Sequence, residues 1–581
     1  MRWTAVRALT ASVALVAAAT LTSTGAFAAR APAAAARPYG TFTMYMIPGT
    51  TYDPAIWDWG AHNDQIGLFV GLVHFGANGA VVPGIATSWK TNGNVWTFYL
   101  RHNARFSNGD PVTADTFVSS WRRAVNPATV AGTGDASSFF GDVQLKNAQK
   151  IRLGKLPLTD LGVTALSRYT LQVTLDHPDP YLLTKLATDP WALPVDPSVV
   201  GQSGASSTAS WTNPKTIVGD GPYMLKSLKL GVDAWLVPNP YYYNPVHLAA
   251  IHLIYTSTAG GTQLAAYEAN NTDMAELGAT NVPAVRRNPT LKSQLHWVPT
   301  AVQYTFYMWH SLNPVFSNVK VRQAFEYAIN KTLISQKILL GTGTPAYDPY
   351  IASWMAPWIK GVGYHYNPTK AQELLAEAGY PGGKGFPAVT MLEAAFGPDP
   401  VAEAVQQMWE TNLHVKVNLV QQEWGTYLTS MEQTQSTAQG WVQDGIPAPS
   451  PVWQMTLPNS VPSDFLSTWA LSGADWTRYQ AISKDAKLTP AQRLAQSAQY
   501  ALAHLPSNVK GIIAAEVQAF AANNVPAMKS AVSNEMAQAY NIPIYTVTNA
   551  VLLKPNVHGY FPQRMWLSTP PDWLNTITIS R

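Results

Sequence analysis

The stretch Pro83–Val125, PGIATSWKTNGNVWTFYLRHNARFSNGDPVTADTFVSSWRRAV, is the part of the chain whose folding is most legible. Trp96, Phe98 and Leu100 alternate with Thr97 and Tyr99, the period-two signature of a strand with one buried face. Thr91-Asn92-Gly93-Asn94 ahead of them is turn chemistry, so the first half reads as a hairpin. A second turn, Ser107-Asn108-Gly109-Asp110, leads to Thr113. That threonine can cap a helix on which Phe117, Trp121, Ala124 and Val125 share one face while Arg122 and Arg123 point away. Hairpin followed by amphipathic helix is a unit that needs a larger core to rest on.

Composition bounds what that core belongs to. With 581 residues the chain exceeds a single core, so two or three domains are expected, and its 47% apolar content excludes a disordered or fibrous chain. The net charge of +4 comes from sparse charges of both signs without a basic block. This argues against nucleic acid or a membrane surface as partner and in favour of a small ligand. The 21 Trp and 26 Tyr can line a cleft or equally fill large aromatic cores.

Residues 1–28 read as a secretory signal peptide: Arg2 and Arg7, an apolar run from Ala8 to Leu21, then the small-x-small site Ala26-Phe27-Ala28. Thr and Ser interrupt the run too often for a membrane anchor, which takes about 18 or more apolar residues. The absence of cysteine excludes disulfides, thiolate metal sites, a cysteine nucleophile and a lipid-bearing cysteine. The mature protein is therefore expected to be secreted, extracytoplasmic and free of a lipid anchor. Residues 29–39, rich in Ala, Arg and Pro, read as a disordered lead-in.

Further along, Gly40 to Phe75 reads as a strand around Phe42–Ile47, then Tyr52-Asp53-Pro54, then an apolar helix ending in Leu68–Val73. Tyr169–Leu175 alternates as a strand, and Gly219-Asp220-Gly221-Pro222-Tyr223 is a turn feeding another. Ile251–Tyr255, a helical stretch to Glu268 and Asp273-Met274-Ala275 suggest a β–α–β unit and a mixed sheet. The following part is helix-rich. Val321, Ala324, Phe325 and Ala328 share a helical face, and the helix after Asn367 has Asn as N-cap, Pro368 at its first position and Gly379 past its end. Val401–Asn412 and Pro490–Leu505 are two more helices, and Val415–Val420 alternates as a strand.

Ala86-x-Ser88-Trp89, Trp96-Thr-Phe-x-Leu-Arg101 and Phe106-Ser-Asn-Gly-Asp-Pro-Val-Thr-Ala114-x-x-Phe117 carry a resemblance to one family. From about Tyr45 to Tyr560 the chain resembles the family 5 extracellular solute-binding proteins, above all the oligopeptide-binding members that serve ABC importers. The resemblance implies an α/β, two-lobed periplasmic-binding-protein fold (type II). It further implies a discontinuous first lobe (40–75, 212–300 and 541–581), an accessory α+β subdomain (76–211) and a second lobe (301–540). Hinges are expected near Val298–Thr305 and Tyr540–Val547. The implied partners are a short peptide ligand and the ABC transporter permease subunits, with the protein acting as a monomer and without cofactors.

Catalytic and metal chemistry finds little support. His247 and His252 are five apart in a strand-like region, on opposite faces, and the other histidines lack ligand spacing. Gly379-x-x-x-Gly383-Lys384-Gly385 is one residue short of a phosphate loop and closes a helix instead of opening one. Gly201-Gln202-Ser203-Gly204 lacks the spacing of a nucleophile elbow.

The candidate site residues come from the resemblance. Trp441-Val442-Gln443-Asp444 matches the loop in which oligopeptide binders use an Asp against the peptide α-ammonium; the other reading of Asp444 is a turn residue before Gly445-Ile446-Pro447. Asp58 falls where the family has an acid near the first peptide unit. Trp424 and Leu428 fall on pocket-lining positions, although Trp424 reads equally well as core. Val547, closing the second hinge segment, completes the set. Departures are visible too. Met431 and Ala438 stand where such binders have arginines, Met308 where an acidic cleft residue is common, and Glu393-Ala394-Ala395-Phe396-Gly397-Pro398 replaces a more polar loop. The rival readings are an oligosaccharide receptor of the same fold, with Trp and Tyr stacking on sugar rings, and a secreted hydrolase.

Overall fold

The hairpin and helix form as the pattern dictates. Ala86–Asn92 pairs antiparallel with Val95–Leu100, Asn92 opposite Val95, and Gly93 takes the left-handed conformation (φ +62°) that the tight turn requires. Val95–Leu100 also pairs with Thr170–Thr174, which pairs with Val163–Ser167, giving a four-stranded antiparallel sheet. Helix Ala114–Ala124 starts at a capping box: the Thr113 hydroxyl accepts from Thr116 N, and Thr116 Oγ1 accepts from Thr113 N. It lays Phe117 and Trp121 into a core with Trp96, Phe98 and Leu100, and Trp121 Nε1 donates to Ala192 O at 3.0 Å.

The computed structural model describes residues 40–46, 51–55, 67–76, 80–126, 129, 145–152, 154–179, 182–188, 190–200, 211–255, 261–307, 314–347, 357–394, 399–422, 438–441, 471, 473–488, 490–522, 524–560 and 571–580. Among these no helix is long and apolar enough to cross a membrane.

Three local expectations are overturned. Arg123 does not point away: it is buried, and its guanidinium donates to both carboxylate oxygens of Asp53 (Nη1–Oδ1 2.9 Å, Nη2–Oδ2 2.5 Å). Asp53 is fully buried and also accepts from Trp211 Nε1 and Ala55 N. The helix is covered over a wider arc than its apolar stripe, because Thr116 and Ser120, on the same flank as Arg123, are buried too. Second, Leu68–Val73 does not end a helix. Gly67 to Leu72 is irregular and Val73–Phe75 is a strand. Its backbone is satisfied across the chain instead: Leu68 O accepts from Gly221 N, Gly67 O from Tyr223 N, and Val70 N donates to Asp220 Oδ1. Gly219 lies so close that a Cβ there would collide with the Leu68 carbonyl oxygen, which is why that turn is glycine-rich. Third, Ala250–Tyr255, helix Gly261–Glu268 and Met274–Leu277 follow one another as expected, yet the two strands lie in different sheets. The first pairs parallel with Thr41–Met46 and antiparallel with Asp233–Pro238, and the second pairs with Asn541–Leu553.

Two strands of thirteen residues organise the remainder. Leu295–Tyr307 and Asn541–Leu553 run antiparallel from Leu295 opposite Leu552 to Tyr307 opposite Asn541, with register breaks between Pro299 and Gln303 and between Tyr304 and Thr305. On the first strand Val298 packs with Phe42, Tyr223, Ile251 and Leu253, whereas Tyr304 packs with Phe325, Leu375 and Trp409. On the second, Ile542 and Ile544 join the latter core and Val551 and Leu553 the former. Both strands therefore pass from one core to another, and the second core is the helix-rich one. Helices Val319–Tyr327, Pro368–Glu377 and Pro400–Leu413 pack there, capped by Asn318, Asn367 and Asp399.

The Asp53–Arg123 pair ties the segment before the hairpin to its helix, and the cost of breaking it is calculable in kind. Arg123→Leu leaves a fully buried carboxylate without its counter-charge, a loss of about 3–5 kcal/mol. Scanning calorimetry should show a clear drop in the unfolding temperature, and an unchanged temperature contradicts this role.

Candidate functional site

The long strands belong to a sheet in which three others run parallel to one another: Val417–Gln422, Val389–Ala394 and Ala438–Trp441, in that spatial order. In open α/β sheets ligands gather outside the carboxyl ends of parallel strands, where side chains and backbone groups are not claimed by the next crossover. Here those ends are Glu393-Ala394, Gln421-Gln422 and Trp441, aligned by the pairing of Glu393 with Gln421 and of Leu392 with Gln439. Trp441 pairs with Thr305 on Leu295–Tyr307, next to the register break, so the strand ends converge on the place where the long strands change cores.

Two of the expected site residues can be placed in this frame. Trp441 ends its strand beside Leu295–Tyr307, and Val547 lies on the opposite neighbour of that strand, half-buried, with its carbonyl accepting from Thr300 Oγ1 at 2.9 Å. Asp58, Trp424, Leu428, Val442 and Asp444 lie outside the described residues, as do Met308 and Met431.

A further constellation occupies the same edge. Asp399 caps helix Pro400–Leu413, its Oδ1 accepting from Val401 N (2.9 Å) and Ala402 N (3.2 Å), while its Oδ2 accepts from the Tyr304 hydroxyl at 2.5 Å. Tyr304 stacks on Tyr545 across the two long strands, ring centroids 5.0 Å apart. Burial, and next the acidic neighbour Asp399, hold the Tyr304 hydroxyl well above the ordinary phenol range. Glu393 completes the group. It is only 3% exposed, and desolvation, reinforced by Asp399, pushes its carboxyl up to about 8. The Asp399 cap followed by Pro400 has a sequence signature; the tyrosine pair has none because its strands are far apart in the chain, and the state of Glu393 has none because it depends on burial.

The arrangement offers hydrogen bonding, aromatic faces and acidity, and the described residues contain no cluster of three or more His, Cys, Asp or Glu able to hold a metal. His252, one of the two histidines weighed for a metal, stacks on Trp235 and bonds Asp233 Oδ2 at 3.0 Å.

Comparison with known proteins places these features in a family. The model of the bacterial extracellular solute-binding proteins, family 5 Middle, matches residues 80–462. The periplasmic oligopeptide-binding protein OppA of Escherichia coli (strain K12) is 29% identical over 503 residues, 85% of this chain and 84% of the relative. The periplasmic murein peptide-binding protein MppA of the same strain is 32% identical over 373 residues, 62% of this chain and 67% of the relative. The solved structure of the Escherichia coli murein tripeptide binding protein MppA matches with a TM-score of 0.69 at 26% identity, covering 93% of this chain and 98% of that one. The fold is the two-lobed α/β periplasmic-binding-protein fold of type II. The chain belongs to the bacterial extracellular solute-binding proteins, family 5.

Proposed function

We propose that the protein is the extracytoplasmic receptor of an ABC peptide importer, a monomer that captures short peptides between two lobes and delivers them to the permease subunits. The observation that carries this reading is the pair of long strands: among the described elements they alone share residues with both cores, and their register breaks where they change cores, beside the carboxyl ends of the parallel strands. Closure about such a pair needs only a few backbone torsions to change. The lobes are assigned as 40–75, 212–300 and 541–581 for the first and 301–540 for the second, with 76–211 as an accessory subdomain. The packing of Ile542 and Ile544 in the helix-rich core supports a second passage somewhat beyond Asn541, within Asn541–Leu553. Peptide-binding relatives such as OppA and MppA support the ligand class.

In this reading Asp444 receives the peptide α-ammonium, and Asp58, Trp424, Leu428, Trp441, Val442 and Val547 line the site. A carboxylate facing an ammonium gains strength as closure expels water, because the attraction is then less screened. Asp444→Asn keeps shape while removing charge, and losing one side of a desolvated pair costs about 2–5 kcal/mol, so affinity should fall on the order of 30-fold or more. Calorimetry with a short apolar peptide, its N-acetylated form and an oligosaccharide reads this out. The peptide should bind, acetylation and the substitution should each weaken it, and their combined effect should be smaller than their sum. Heat from the oligosaccharide alone contradicts the peptide reading, and normal binding of the acetylated peptide removes Asp444 from the contact.

Export is proposed to remove residues 1–28. N-terminal sequencing of secreted material should begin at or near Ala29, and a chain still starting at Met1 contradicts it.

A further inference from the structure

Among the described residues, three of the buried acids away from the site are answered by cations. Asp53 faces Arg123, Asp179 faces Lys185 Nζ at 2.6 Å, and Glu326 faces Lys331 Nζ at 2.6 Å. Glu393 is buried as deeply as Asp53 and Glu326 in practical terms, at 3% exposure, yet neither of its carboxyl oxygens has a hydrogen-bond partner among the described residues. The Gln421 amide beside it favours the charged form but lies outside hydrogen-bond geometry. The charged groups that act on it, Asp399 and Glu403 from the adjoining helix, are both acidic, and Asp399 is engaged by Val401 N, Ala402 N and the Tyr304 hydroxyl. On the side of the long strands the described titratable groups are Tyr304 and, stacked on it, Tyr545. Glu393 therefore stands at the carboxyl edge of the parallel strands with an unmet acceptor capacity and a negative potential around it. Its neighbours Gln421 and Glu403 are exposed, so the group lies just beneath the surface.

Burying a carboxyl without a partner is unfavourable, and an apolar strand residue would avoid the cost. What the arrangement lacks, among the described residues, is a cation. We infer that Glu393 receives the ammonium or guanidinium of a basic side chain on the ligand, so that the peptides preferred are those carrying Lys or Arg. This rests on the peptide-receptor reading and narrows it to a substrate class. The remaining acceptor sites on Glu393 match the donors of such a group, and Asp399 and Glu403 add attraction at longer range. In the free protein at pH 7, Glu393 is below its midpoint of about 8 and holds its proton. An arriving cation favours the ionised form, so binding of a basic side chain releases that proton to solvent, whereas an uncharged side chain leaves it in place.

The test is calorimetry on the mature protein with the tripeptides Ala-Lys-Ala and Ala-norleucine-Ala, which share termini and differ chiefly in the side-chain ammonium. Wild type should bind the lysine peptide at least about tenfold more tightly. Titrations at pH 7 in buffers of different ionisation enthalpy should show proton release with the lysine peptide and none with the norleucine peptide. In Glu393→Gln the affinity ratio should fall to about one and the release should vanish. Equal affinity of wild type for the two peptides overturns the inference, as does a preference that survives in Glu393→Gln; the first needs no variant. If neither tripeptide binds, the peptide-receptor reading fails and this inference with it. If norleucine binds as well as lysine, only the role of Glu393 fails.

Discussion

A backbone that passes from one hydrophobic core to another must keep its amides and carbonyls bonded on the way, and here two strands do this for each other. Leu295–Tyr307 and Asn541–Leu553 pair at both ends, so each core receives a regular piece of sheet, while the segment between Pro299 and Gln303 falls out of register. The ordered ends are held by burial of Val298, Val551 and Leu553 on one side and of Tyr304, Ile542 and Ile544 on the other. In the middle the ladder between the two strands is interrupted, so a change of torsion there breaks the fewest of their mutual bonds. Of the parallel strands, Ala438–Trp441 ends beside the register break of Leu295–Tyr307, with Val389–Ala394 and Val417–Gln422 following it in the sheet, so a ligand seated at their carboxyl ends lies next to that break.

Charge is handled differently inside the cores and at this edge. Asp53 with Arg123 joins segments seventy positions apart, and Glu326 is met by Lys331 five positions along the same stretch. At the edge, Asp399 spends its two oxygens on a helix N-terminus and on Tyr304, coupling the helix Pro400–Leu413 to the long strands, and Glu393 remains unanswered. Glu393 is set apart by its place at the carboxyl edge of the parallel strands, and that place is why a ligand cation is proposed for it.

Features decided within a few residues were legible in the sequence. Thr113, Asn367 and the alternation around Trp96–Leu100 appear in the structure as cap, cap and strand, since each rests on local hydrogen bonds or a fixed period. Leu68–Val73 misled because a segment buried between two cores is apolar on every side and carries no period. Arg123 misled because its partner lies seventy positions away, and the β–α–β unit because sheet membership is settled by tertiary packing. Of the site, Trp441 came from motif resemblance and Val547 from the hinge segment, and both lie on the sheet that holds the long strands, whereas Glu393 registered only as a departure and Tyr304 with Tyr545 not at all. No local pattern encodes a stack between strands more than two hundred residues apart.

Small-angle scattering of the free protein and of the protein saturated with a short peptide tests most directly whether the two strands act as a hinge. Closure about them should lower the radius of gyration and shorten the longest intramolecular distances. Superimposable profiles, with saturation shown independently by calorimetry, would contradict capture by closure.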